Sequence, residues 1–211
     1  MSPVDRPLRL GVLLSGTGRT LENLLHWQDN GTLAARVTCV ASNRGAVRGL
    51  QIAEEAGVPS SSFRLSAHAD RVQRDRAMAD WVLGHDCDLV VLAGYLALLD
   101  TTAFAGLPIL NIHPALLPRH GGEGCWGHHV HEAVLADGDE ESGCSVHLVD
   151  GEFDHGRVLA QWRVPVLSDD TPDSLAARVF EAECELYPET INRIANGELD
   201  PGAGRAEGTD A

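Results

Sequence analysis

The 211 residues, 44% hydrophobic and 22% charged, have the balance of an ordinary globular chain with room for one sizeable α/β domain or two small ones. A formal net charge of −15 argues against nucleic acid as a partner, because a phosphate backbone needs a basic face, and any anionic ligand must then be held by local arginines and backbone N–H groups. No apolar run suffices to span a bilayer, the N-terminus carries Asp5 and no cleavage-site pattern, and five cysteines without a CxxC pair suit a reducing cytoplasm.

LRLGVLL (8–14) reads as a buried strand, SGTG as a tight turn, and Arg19 to Asp29 as a helix with leucines at 21, 24 and 25. RVTCVAS (36–42) is a second strand and AVRGLQIAEEAG a helix stopped by Gly57 and Pro59. SSFRL is expected as a short third strand. ADRVQRDRAMADWVLGH is expected as an exposed helix with Val72, Met78, Trp81 and Val82 inward. DLVVLAG and PILNIH are buried strands. This alternation predicts a parallel sheet with helices on both faces.

After residue 120 the character changes. GGEGCWG is a Gly-rich loop and HHVHEAVLADG a helix ending at Gly138. GCSVHLVD and RVLAQWRVPV, joined by GEFDHG, suggest an antiparallel hairpin. DDTPDSLAARVFEAECELYPETINRIANGE opens on capping residues and continues as a long amphipathic helix. We expect one domain over 1–198 and a disordered tail over 199–211, which is small and polar.

Three motifs bear chemistry. In SGTGRTLENL, glycines and a threonine precede a helix start, where free N–H groups attract anions; a plain tight turn is the alternative. The dinucleotide fingerprint fails here, with Leu21 at the third glycine position and Asn43 in place of the ribose-binding acid, so a single phosphate fits better. In LNIHPALLP, Asn111 and His113 are two apart on a strand and share one face, and Pro114 keeps His113 extended. At a strand's C-terminal end they are either a catalytic amide and imidazole or a satisfied structural pair. In EFDHG, Asp154 reads first as a turn residue capping its own backbone. The GHHVHE histidines leave a metal site incomplete, because only His128 and His131 share a helical face.

In order along the chain, LLSGTGRTLENLL, ASNR, DLVVLAGYLALL, LNIHPALLP, HEAVLADGDEESGCSVHLVDGEFDHG and ARVFEAECELYPE resemble the folate-dependent phosphoribosylglycinamide formyltransferases, over residues 8 to 198. The resemblance implies a Rossmann-like formyltransferase fold, predominantly parallel with an antiparallel C-terminal extension. It implies transfer of the formyl group of 10-formyltetrahydrofolate, a co-substrate, to the amino group of 5-phosphoribosyl-glycinamide in purine biosynthesis, with no metal. By the same resemblance Asn111 bonds the formyl oxygen and oxyanion, His113 handles charge and proton, and Asp154 orients His113. Gly18, Arg19 and Thr20 match the positions that hold the ribonucleotide phosphate, and Glu183 the acid at its amino end. Arg71 and Leu96, Ala97, Leu98 and Leu99, with Asn111, match the folate contacts. The chain departs from the commonest pattern at Ala97, where many members carry Arg or Lys, and in the longer segment RHGGEGCWGHHVHE. Relatives also bend sharply at LLPRH, so a cis Leu117–Pro118 bond is expected.

Three rivals remain. A formyltetrahydrofolate hydrolase usually carries a regulatory domain ahead of the catalytic one, whereas the first strand here begins near residue 8. A sugar-nucleotide formyltransferase shares the catalytic set. A non-catalytic ligand-binding module has no need of Asn111, His113 and Asp154 together. The partners expected are the two small molecules, with neither nucleic acid nor membrane.

Overall fold

The computed structural model describes residues 6–202. Its elements are β1 (Leu8–Leu14), α1 (Arg19–Asp29), β2 (Ala35–Ser42), α2 (Arg48–Glu55), β3 (Ser60–Ser62), α3 (Arg71–Leu83), β4 (Leu89–Leu92), β5 (Ile109–His113), α4 (His128–Asp137), β6 (Glu141–Leu148), β7 (Val158–Pro165) and α5 (Pro172–Ala195). The strands form one sheet in the order β3-β2-β1-β4-β5-β6-β7. Pairings from β3 through β5 are parallel, and β5–β6 and β6–β7 are antiparallel. This is the mixed sheet with an antiparallel extension that the sequence predicts.

Period-two alternation splits the core between the two faces. Leu10, Val12 and Leu14 of β1 meet Leu21 and Leu24 of α1 and Leu175, Tyr187 and Ile191 of α5 on one side. Leu13 meets Met78 and Val82 of α3 on the other. The Tyr187 hydroxyl donates to the carbonyls of Leu92 and Leu110, which pins α5 across β4 and β5 just below the polar end of β5. Helix α5 starts on a capping box between Thr171 and Ser174 with Pro172 behind it, and α4 ends on the left-handed Gly138.

Two sequence expectations are corrected. Val72 does not face inward: it is 39% exposed, and Trp81 is only half-buried, while Arg74 and Asp75 are buried beside Met78 and Val82. That burial is tolerated because the Arg74 Nε donates to Asp75 Oδ1 at 2.7 Å and Asp75 Oδ2 accepts the Asp100 N–H at 2.9 Å. The third strand is limited to three serines, since Phe63 turns into the core. Between β4 and β5 the crossover contains a 3₁₀ turn at Thr101–Phe104. The Leu117–Pro118 bond is cis, as expected.

Among the described residues no helix is long and apolar enough to cross a membrane. The five cysteines are free thiols. Of the tail expected to be disordered, residues 203–211 lie outside the described residues; Asp200 within it offers its carbonyl to Arg157 Nη2 at 2.9 Å.

Candidate active site

A cleft of about 460 Å³ opens at the C-terminal ends of β1, β4 and β5. Its walls carry the turn Ser15–Thr20, the segment Ala93–Leu96, Asn111 and His113, Cys125–Gly127, and Phe180 and Glu183 from α5. The predicted residues Gly18, Arg19, Thr20, Leu96, Asn111, His113 and Glu183 therefore share one cavity. Arg71, Ala97, Leu98 and Leu99 are outside that lining: the Arg71 Nη1 reaches the Leu98 carbonyl at 3.5 Å, and Leu99 is only 3% exposed, packed in the core. A slightly larger hollow of about 540 Å³, between Thr101–Ile109 and Leu148–Arg157, holds none of these residues.

Strand β5 places Asn111 and His113 on the cleft side, and the antiparallel register sets His147 of β6 opposite Asn111. The His147 Nδ1 lies 2.8 Å from the Leu148 carbonyl, which can only accept, so Nδ1 carries the hydrogen. The Nε2 lone pair then accepts from Asn111 Nδ2 at 3.1 Å, which fixes the amide with its nitrogen toward His147. The same nitrogen reaches Asp154 Oδ1 at 3.4 Å, a long contact.

Asp154 stands behind the pair. Its Oδ2 accepts the Gly122 N–H at 3.1 Å and lies 3.3 Å from His113 Nδ1, and its Oδ1 lies 3.5 Å from His147 Nε2. Its backbone has φ 53, a left-handed conformation that Asp tolerates better than most residues. Burial pushes the Asp154 carboxyl up, but the neighbouring His147 and His113 and the Gly122 N–H outweigh it, and its pKa is lowered. The turn residue is thus a buried hub rather than a cap of its own backbone.

His113 gives its other nitrogen, Nε2, to the His120 carbonyl at 2.8 Å. His120 has φ 54 and is held by Asp139, whose Oδ2 meets its Nε2 at 2.8 Å and whose Oδ1 pairs with Arg119 at 2.8 Å. Burial lowers the His113 pKa and outweighs Asp154, which raises it. Asp154 does push this histidine upward, but desolvation wins.

At the other end, Gly18 adopts φ 79 as the N-cap of α1, and a Cβ there would stand 2.5 Å from the Gly49 Cα. Only glycine fits. The Ser15 hydroxyl bridges, donating to Asn43 Oδ1 at 2.7 Å and accepting the Leu96 N–H at 2.9 Å, so one side chain ties the turn to the segment after β4. Arg19 is exposed, with its Cζ 3.7 Å from the Phe180 ring centroid. Glu183 is half-buried, and desolvation pushes its pKa up to about 8 against the opposing charge of Arg19.

His147, Arg44, Phe180 and Trp126 were not singled out from the sequence. His147 had a signal, since it alternates with Ser145 on the strand GCSVH, but its partner is set by a register that the sequence does not print. Among the described residues no group of three or more His, Cys, Asp or Glu is placed to hold a metal; His131 is buried and its desolvated ring is lowered to about 4.

Residues 8–191 match the model of the formyl transferase family. A phosphoribosylglycinamide formyltransferase of Haemophilus influenzae is 34% identical over 90% of this chain and 89% of its own. A chloroplastic phosphoribosylglycinamide formyltransferase of Vigna unguiculata is 37% identical over 90% of this chain, which spans 61% of that relative's length. The crystal structure of glycinamide ribonucleotide transformylase 1 from Symbiobacterium toebii superposes with a TM-score of 0.85 at 37% identity, covering 92% of this chain and 90% of that one. The match runs from β1 into α5 and so takes in every wall of the cleft: this chain belongs to the formyl transferase family.

Proposed function

We propose that this chain, acting as one unit over residues 1–198 in the cytoplasm, transfers the formyl group of 10-formyltetrahydrofolate to the amino group of 5-phosphoribosyl-glycinamide. The observation that carries the reading is one cleft holding an amide–imidazole pair backed by a buried carboxylate at one end and a helix-start anion turn at the other. The likeness to the two named formyltransferases supports the substrate pair.

The substrate amine attacks the formyl carbon, the carbonyl oxygen takes up the negative charge, and the bond from carbon to the folate nitrogen then breaks. The amine loses a proton and the departing folate nitrogen gains one. Asn111 supplies an N–H to the oxyanion, taking it from the long 3.4 Å contact with Asp154. His113 supplies Nε2–H, exchanging the His120 carbonyl for the substrate oxygen, and Asp154 at Nδ1 holds the ring in that orientation. Gly18, Arg19 and Thr20 take the phosphate through backbone N–H groups and the guanidinium. Glu183 meets the amine, whose charge draws its elevated pKa back down. Leu96 lines the folate side, with Arg71, Ala97, Leu98 and Leu99 supporting that segment from behind. These residues account for the chemistry without a metal, through positioning and electrostatics.

A spectrophotometric assay of tetrahydrofolate release, with and without 5-phosphoribosyl-glycinamide, tests the reading. Release is expected only when the amine is present. Equal release without it would replace the transferase by a hydrolase.

A further inference from the structure

Arg19 and Phe180 are 161 positions apart, as numbered, and meet across the mouth of the cleft. With Cζ 3.7 Å from the ring centroid, the guanidinium must lie face-on, because an edge-on approach would drive a nitrogen into the ring. Face-on stacking occupies the π surface of the arginine and leaves its in-plane N–H groups for another acceptor. Among the described residues no carboxylate lies within the 4.0 Å ion-pairing distance of that guanidinium. The stack is also anchored: Asn23 Nδ2, one turn into α1, donates to the Cys184 carbonyl at 2.7 Å and fixes α1 against α5.

We propose that Phe180 is the positioning residue of the anion subsite, holding the Arg19 guanidinium so that its N–H edge meets the phosphate of the ribonucleotide beside the free N–H groups of the α1 start. This rests on the reading of Gly18–Thr20 as the phosphate turn. A free arginine loses rotamer entropy when a ligand immobilises it, and a pre-stacked one has already lost much of that. Phe180 and Glu183 are three apart on α5 and share a face, so this one helix sets both the cation for the phosphate and the acid for the amine. The distance between those two side chains is then a ruler for the length of the substrate.

The test uses the full chain and the variants Phe180→Leu, Phe180→Tyr and Arg19→Met. Two readouts are taken: KM for 5-phosphoribosyl-glycinamide against kcat, and the concentration of inorganic phosphate that half-protects the chain from thermal unfolding. Phe180→Leu is expected to raise both the KM and the phosphate concentration about fivefold, which is roughly 1 kcal/mol at 1.4 kcal/mol per tenfold, with kcat falling less than KM rises. Phe180→Tyr keeps a ring and should return both values to near wild type. In the Arg19→Met background, adding Phe180→Leu should change neither further. If Arg19→Met weakens phosphate and Phe180→Leu does not, or if the two effects add in full, Phe180 does not position Arg19 and the inference falls. If Arg19→Met leaves both readouts unchanged, the phosphate turn itself was misread, and the inference falls with it.

Discussion

The two ends of the cleft are built on opposite plans. At the β5–β6 end, Asn111, His113, His147 and Asp154 already bond one another or nearby backbone, and His113 and His147 are buried. At the α1 end, the donors are backbone N–H groups at a helix start and an exposed arginine stacked on a ring. The contrast follows from the tasks. A group that must meet a transient oxyanion gains from being held still beforehand, and burial with saturated hydrogen bonds achieves that. A group that must draw an anion out of water into a chain of net charge −15 has to present unsatisfied donors at the surface.

The comparison is broken most directly at its buried hub. Asp154→Asn keeps the shape and removes the charge behind His113, and we expect kcat to fall about a hundredfold or more. KM for the ribonucleotide should hardly move, because the α1 turn is untouched. A variant with near-normal kcat and a raised KM would make the two ends one coupled site.

His147 sharpens the same point at a smaller scale. It touches the reacting atoms only through Asn111, so His147→Ala should cost roughly tenfold in kcat by freeing the amide to rotate. His147→Gln, which restores an acceptor, should recover part of the loss. Equal damage from both variants would show that the imidazole acts through its bulk, not through the bond to Asn111.

What the sequence made legible divides along the same line. The strand β1, the glycine turn and the α1 start are contiguous, so spacing alone exposes them. Asn111 and His113 are also legible, because two polar residues ending an apolar run before Pro114 are conspicuous. Their partners are not: Asp154 arrives from a turn more than forty residues on, and His147 faces Asn111 only through the antiparallel register of β5 and β6. The same limit hid Phe180 from Arg19. On α3, period alone put Val72 inward, whereas the fold buries Arg74 and Asp75 to tether the Asp100 backbone. Long-range pairing rescued a polar face that pattern reading assigns to water.

At the capture end the expected effects are smaller. Gly18→Ala places a Cβ against the Gly49 backbone at a left-handed φ of 79, so we expect about 2 kcal/mol of lost stability in a denaturant titration. KM for the ribonucleotide should rise severalfold as the turn shifts, with kcat less affected. An unchanged KM would place the phosphate elsewhere.

The last effect belongs to Glu183, which sits between the two plans: less buried than His113 and His147, and near the Arg19 charge of the capture end. Desolvation raises its pKa from the ordinary 4.5 to about 8, so the folded chain holds that proton more tightly than the unfolded one. The sign follows from linkage: between those two values the folded state binds more protons, and stability falls as pH rises. Below pH 4.5 both states are protonated, and above pH 8 both are ionised with the loss complete. Glu183→Gln removes the titration and keeps the shape. The Tm advantage of the variant over wild type should therefore be near zero at the acid end of that window and grow until pH passes 8. On the proposed reading that inorganic phosphate binds at Arg19, adding it should weaken the charge that favours ionised Glu183 and widen the gap. Parallel Tm curves across the window would mean that Glu183 is solvated enough to ionise normally, and that it belongs with the exposed capture end of the cleft.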